Sequence, residues 1–151
     1  MFTKILVPLD GSSHADKALD YALDLASRYH ASVQLLTVIP EVSLFSTLAY
    51  PAGETVPVGV GQYYEDLKAR GKEMLTAALH AAQRMNPQIN VTSKVVEGRR
   101  VSDDIVTAAT DGAFDLIVMS SRGLGGITGF LLGNVADRVA DHSTCPVLIV
   151  K

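Results

Sequence analysis

Five short apolar runs alternate along this chain with four stretches of helical periodicity, and that alternation restricts the fold more than any other feature. The runs are Lys4-Ile5-Leu6-Val7-Pro8-Leu9, residues 32–39, residues 91–97, Leu116-Ile117-Val118-Met119 and Val147-Leu148-Ile149-Val150. Apolar residues on consecutive positions suit strands of a parallel sheet covered on both faces. Between them, Ala15, Ala18, Leu19, Ala22, Leu25, Ala26 and Tyr29 recur at helical spacing, as do Tyr64, Leu67, Gly71, Leu75, Ala78, Leu79, Ala82 and Met85. Ile105, Val106 and Ala109 mark a third helix and residues 135–142 a fourth. Strand–helix alternation predicts a single α/β domain: an open parallel five-stranded sheet with helices on both faces and right-handed crossovers.

Turn chemistry supports these boundaries. Ser12 or Ser13 is positioned to cap the first helix with Asp16 in its first turn, and Ser102 to cap the third. Asn86-Pro87 and Gly112 read as stops. Residues 41–61 are irregular, with Pro51, Gly53, Pro57, Gly59 and Gly61 among apolar side chains that include Leu44, Phe45, Leu48 and Tyr50. A connection of that length in a compact domain is usually functional, here a lid or a partner surface.

With 151 residues, one domain with a substantial core is expected, and 48% hydrophobic against 19% charged is a globular balance. The net charge of −3 is no footprint for nucleic acid, whose binders concentrate Lys and Arg. Cys145 is the single cysteine, read as a buried thiol. The first residues read as a strand rather than a signal peptide, and no window is long and apolar enough to span a bilayer. A cytoplasmic protein is expected.

Chemistry concentrates in residues 115–135, DLIVMSSRGLGGITGFLLGNV. A buried strand runs into a loop carrying Gly123, Gly125, Gly126, Gly129 and Gly133, and a helix starts near Gly133-Asn134. Glycine lets a backbone approach a ligand closely, and a helix N-terminus presents unpaired N–H groups and a positive dipole end. Together they read as a phosphate cradle, in which Asn134 can cap the helix and donate to a ligand. Neither a Walker A loop nor a dinucleotide fingerprint fits the spacing. In a sheet of this kind ligands sit beyond the strand C-termini where the winding reverses. If the first strand lies beside the fourth, Asp10 and residues 120–123 share one crevice. Arg99, Arg100 and Arg122 follow strands and can neutralise phosphate, Arg122 best, from within the turn.

Three stretches in the right order, ILVPLDGS, the glycine loop and CPVLIV, resemble the universal stress protein family in its nucleotide-binding branch. That branch carries G-x2-G-x9-G-[ST] after the fourth strand, a frame that lands on Ser120, Gly123, Gly133 and Asn134. The resemblance spans residues 1–151 and implies a Rossmann-like, adenine nucleotide alpha hydrolase-like domain of strand order 3-2-1-4-5. It implies a ligand, ATP or AMP, with or without Mg, and a homodimer. By position, Asp10 meets the ribose hydroxyls, Pro8 and Leu9 wall the adenine, and Val38 offers its backbone to the adenine edge. Gly123 approaches the ribose and phosphates, while Gly133, Asn134 and Val135 hold phosphates through main-chain N–H groups. Met119, Ser120, Arg122 and Gly126 complete the implied binding set. Ser120 stands where the family has glycine, strained if φ > 0 is needed there. Asn134 replaces a hydroxyl residue, which leaves ATP and AMP both open.

No catalytic residue and no metal ligand is assigned: His14, His30, His80 and His142 lack metal-like spacing, and no G-x-S-x-G elbow surrounds Ser12 or Ser13. The leading expectation is a nucleotide sensor whose occupancy alters contacts with a protein partner. The alternative is a slow ATPase or autophosphorylating enzyme with Ser12, Ser13 or Ser120 as acceptor. A phosphoacceptor receiver domain fits poorly, because Glu97-Gly98 would have to supply its acidic residue. Val147–Val150 at the sheet edge would pair with a second copy.

Overall fold

The computed structural model describes residues 1–41, 59–124 and 132–151. Five strands form one parallel sheet: β1 (Lys4–Pro8), β2 (Ser32–Pro40), β3 (Val91–Gly98), β4 (Leu116–Ser120) and β5 (Val147–Val150). Their order is β3-β2-β1-β4-β5, as expected, so the chain winds outward one way from β1 and then returns to β4 on its other side. The described helices are α1 (Ser13–Tyr29), α2 (Val60–Met85), α3 (Val101–Asp111) and α4 (Asn134–His142).

Side chains alternate across the sheet, as the pleat requires. Ile5, Val7, Val33, Leu35, Leu116 and Val118 face one core with α1 and α2. Leu6, Leu36, Ile117 and Met119 face a second core with Ile105 and Ala109 of α3 and Ala136 and Val139 of α4. Ile5, Leu6, Val7, Ile117 and Val118 are 0% exposed, which is why these two central strands are apolar on consecutive positions. Burying each such side chain stabilises the fold by about 1.5–3 kcal/mol before the entropy of ordering it is subtracted.

Several local expectations are corrected. Tyr29 and Met85, assigned to apolar helix faces, are 40% and 69% exposed because each is the last residue of its helix, where the face runs past the sheet. Tyr29 instead meets Phe2 edge-on at 5.7 Å. Ser12 is the α1 cap and accepts from the Ala15 amide, but Ser102 caps nothing. It lies inside α3, whose cap residue is Arg100. Asp104 folds back to accept from the Arg100 N–H at 3.1 Å, and a Cβ on Gly98 would overlap that carboxylate. Cys145 is half-buried rather than buried, since it leads into β5, the strand at the sheet edge.

Candidate functional site

The winding reverses between β1 and β4, and their C-terminal ends form one corner of the molecule. Just past β1, the Asp10 carboxylate is fixed on both oxygens: Oδ1 accepts from the Ser12 N–H at 3.0 Å and Oδ2 from the Leu124 N–H at 3.0 Å. The second bond crosses from the β1 exit to the β4 exit. Gly123 sits so close to Asp10 that a Cβ there would overlap Oδ2, so glycine is the residue this approach admits. Gly11, at φ +83°, makes the turn that brings Asp10 round. The chain past β4 is held from below, with Ser121 N–H donating to the Val150 carbonyl at 2.8 Å and Ser120 Oγ to the Arg122 carbonyl at 2.6 Å.

The same loop returns at α4. Gly133 donates its N–H to the Ser121 carbonyl at 2.8 Å, which pins the start of α4 beside the β4 exit. Gly133, with φ −67° and ψ 149°, is the cap residue, and no side chain caps this helix. Asn134 is therefore its first helical residue and not its cap. The first N–H groups of α4, on Asn134, Val135 and Ala136, have no intrahelical acceptor, and the first hydrogen bond the helix closes is Asp137 to Gly133 at 2.9 Å. The neighbouring N-terminus, that of α3, is compensated by its own Asp103 and Asp104. The α4 start carries one acidic residue in its first turn, Asp137, and no side-chain cap, so it is the less compensated of the two.

Pro8, Val38 and Met119 share the sheet face that α3 and α4 cover, Pro8 following Leu6 by two positions. Pro8 and Val38 are half-buried, whereas Met119 is 5% exposed. Leu9 points the other way, into the core with α1, and its carbonyl accepts from Thr37 Oγ1 at 2.9 Å. Leu36 receives the Leu9 N–H at 2.8 Å, so its carbonyl faces β1. Alternation turns the N–H and C=O of Val38 to that same side, beyond the last β1 residue that pairs with β2. Ser120 lies within β4 and is not among the non-glycine residues of positive φ, so it carries no backbone strain there. Gly126 falls outside the described residues, as do Gly125, Gly129 and most of residues 41–61.

The arginines separate cleanly. Arg99 pairs with Glu41 at 3.0 Å, and Arg100 with Asp103 at 3.6 Å. Arg122, half-buried in the turn itself, pairs with no carboxylate among the described residues. The hydroxyls of Ser12 and Ser120 are committed to backbone partners and both residues are buried, while Ser13 is exposed in the first turn of α1.

Sequence reasoning missed the Leu124 and Ala136 amides, Ser121 and Thr37. Thr37 could have been found as the lone hydroxyl in an otherwise apolar strand end; a backbone amide carries no such signal. It also missed a cluster at the end of β3, two strands away from β1. Tyr64 of α2 donates its hydroxyl to Glu97 at 2.7 Å, and Lys68 pairs with the other carboxylate oxygen. Bonds from Lys68 and then Tyr64 hold the Glu97 carboxyl below its ordinary range, and both partners are raised in turn. The cluster fastens α2 to the end of β3.

A doubly wound α/β domain whose β1 and β4 exits meet at the switch point, beside a helix start with no side-chain cap, is the class this architecture defines. The profile of the Universal stress protein family matches residues 1–151, and the chain belongs to that family. It is 32% identical to the universal stress protein YxiE of Bacillus subtilis over 152 aligned positions, covering 100% of each chain. It is 34% identical to the universal stress protein MJ0531 of Methanocaldococcus jannaschii, covering 100% of this chain and 83% of that one. Among solved structures, the universal stress protein UspA of Lactobacillus plantarum has the same fold, with a TM-score of 0.81 at 21% identity over 99% of this chain and 98% of that one. A universal stress protein solved in complex with cAMP is similar at a TM-score of 0.68 and 26% identity, over 99% of this chain and 96% of that one. A relative from Archaeoglobus fulgidus solved with dAMP superposes at 0.72 and 21% identity, over 99% and 98%, and shares the fold. No described helix is long and apolar enough to cross a membrane.

Proposed function

We propose that this chain binds an adenine nucleotide, AMP or ATP, in the crevice between the ends of β1 and β4, and acts as a nucleotide-responsive regulator rather than an efficient catalyst. The observation that carries this is the Asp10–Leu124 bond, which unites an acidic side chain with the glycine loop in front of an uncapped helix start. An acceptor for ribose hydroxyls therefore stands beside donors for phosphate, the pairing that a nucleoside monophosphate needs. The Val38 backbone, turned toward the space beyond β1, offers a donor and an acceptor to an adenine edge. Pro8 supplies apolar surface beside it; Met119 and Ser120 form the floor, and Arg122 adds a positive charge near the phosphates. Gly123, Gly133, Asn134 and Val135 bring main-chain N–H groups to the phosphate chain. The cAMP bound by one relative supports an adenosine phosphate as the ligand class.

ATP would bring Mg²⁺ held largely by its own phosphates, the usual arrangement for that ion. Among the described residues no three His, Cys, Asp or Glu side chains stand together as a metal site. Regulation would run through a second copy and a protein partner. The β5 strand is a sheet edge with Leu148 36% exposed, and pairing it about a two-fold axis covers its open backbone groups. The reading is of a cytoplasmic homodimer. Titration calorimetry of the purified protein with AMP, ATP, cAMP and GMP tests the ligand class: saturable binding of the adenine compounds, weaker for GMP, is expected. No heat with any of them at millimolar concentration overturns it.

A further inference from the structure

Beyond their shared apolar core, the helix proposed to offer its amides to phosphate is tied to α3 by the polar groups of one side chain. Arg138, in the second turn of α4, donates from Nε to Ser102 Oγ at 3.3 Å and from Nη2 to Asp103 Oδ1 at 3.5 Å. Ser102 is 3% exposed and donates its own hydroxyl to Asp103 Oδ1 at 3.1 Å, so acceptor and carboxylate are locked together before Arg138 reaches them. Arg100 closes the cluster on the other carboxylate oxygen at 3.6 Å. Both partners of Arg138 belong to the first turn of α3, whose start is itself fixed by Asp104 on the Arg100 amide. The remaining ties of α4 are thin: Ala136 and Val139 are its only buried residues, and the Gly133–Ser121 bond holds its first residue. Small side chains at 9 residues' length fix the depth of a helix better than its rotation or slide along the axis.

We propose that Arg138 is a positioning residue for phosphate: by fastening α4 to the first turn of α3 it sets the height and direction of the Asn134 and Val135 amides. It also neutralises Asp103, which otherwise leaves a half-paired carboxylate on the side of the molecule where the anion sits. The planar fork is needed for both bonds at once, so lysine is not an equivalent. This rests on the nucleotide reading above and goes beyond it by assigning the phosphate part of the affinity to a residue that touches no ligand. Adenosine, which lacks phosphate, is indifferent to α4.

The experiment compares adenosine, AMP and ATP binding by calorimetry in the wild-type chain, Arg138→Ala, Arg138→Lys, Asp103→Ala and the Asp103→Ala/Arg138→Ala double variant. Partly exposed ion pairs are modest, so AMP and ATP affinity should fall about two- to five-fold in each single variant while adenosine affinity stays unchanged. The double variant should lose no more than Arg138→Ala alone, because Asp103 acts on the helix only through Arg138. Equal losses for adenosine and AMP, additive losses in the double variant, or full affinity in Arg138→Lys would overturn the proposal. A wild-type chain that binds none of the three ligands would instead overturn the nucleotide reading itself, so the two failures are distinguishable.

Discussion

The Asp10 carboxylate accepts the Leu124 N–H at 3.0 Å, a bond between residues 114 positions apart that joins the exits of β1 and β4. It exists because the sheet order sets β1 beside β4, and because Gly123 has no side chain to hold the two apart. Everything inferred about ligand binding depends on that corner.

Asp10→Ala removes the proposed acceptor for ribose hydroxyls and the tether of the loop together. Charge-assisted hydrogen bonds of this kind are worth enough that adenine-nucleotide affinity should fall about ten-fold. Calorimetric titration with AMP checks this, and unchanged affinity removes Asp10 from the site.

Gly123→Ala inserts a Cβ where Asp10 Oδ2 lies, so the carboxylate must leave and the Leu124 bond must break. Nucleotide affinity should drop as in Asp10→Ala. Thermal stability should change little, because the bond is exposed. Measured by calorimetry and melting curves, unchanged affinity or a large fall in melting temperature would contradict this.

Arg122 has no carboxylate partner among the described residues, whereas Arg99 and Arg100 do. Arg122→Ala should flatten the dependence of nucleotide affinity on salt concentration, since exposed charge pairs are screened. Arg99→Ala and Arg100→Ala should leave that slope as it is. Affinity measured at low and high salt separates the three.

Asp115 governs part of the acid response at the opposite end of the sheet. Burial pushes its carboxyl up, but bonds from Thr3 Oγ1 and N at 2.7 Å and from Lys4 N at 3.1 Å outweigh this and hold it below its ordinary 3.8. A depressed folded value means the stabilisation is complete above the unfolded value and lost as pH falls through the folded one. Below about pH 4 the wild-type chain should lose stability. Asp115→Asn, neutral throughout, should be less stable at pH 7 and lose less over that acid range. Urea midpoints against pH provide the comparison.

Much of this fold could be read from the residues, and the reasons are specific. Ile5-Leu6-Val7 and Leu116-Ile117-Val118 are apolar on consecutive positions because both faces are covered, and that pattern fixed the central strands. The helix ends were read less well. Ser102 looks like a cap in sequence, yet a residue two positions before it takes that place, because Asp104 can reach back only where Gly98 clears the way. Asp10 and Gly123 were legible as residue types at strand exits. Their direct approach, through a Leu124 amide, was not, since every residue has an amide and only tertiary geometry singles one out. Arg138 likewise reads as an ordinary exposed residue of an amphipathic helix until α3 is placed beside it.

The most direct measurement of the central claim is a crystal structure of the chain grown or soaked with AMP. The account predicts ribose on the Asp10 carboxylate, adenine against the Val38 backbone, and phosphate on the Asn134 and Val135 amides. AMP bound elsewhere, or that crevice filled by the protein's own side chains at saturating AMP, would contradict it.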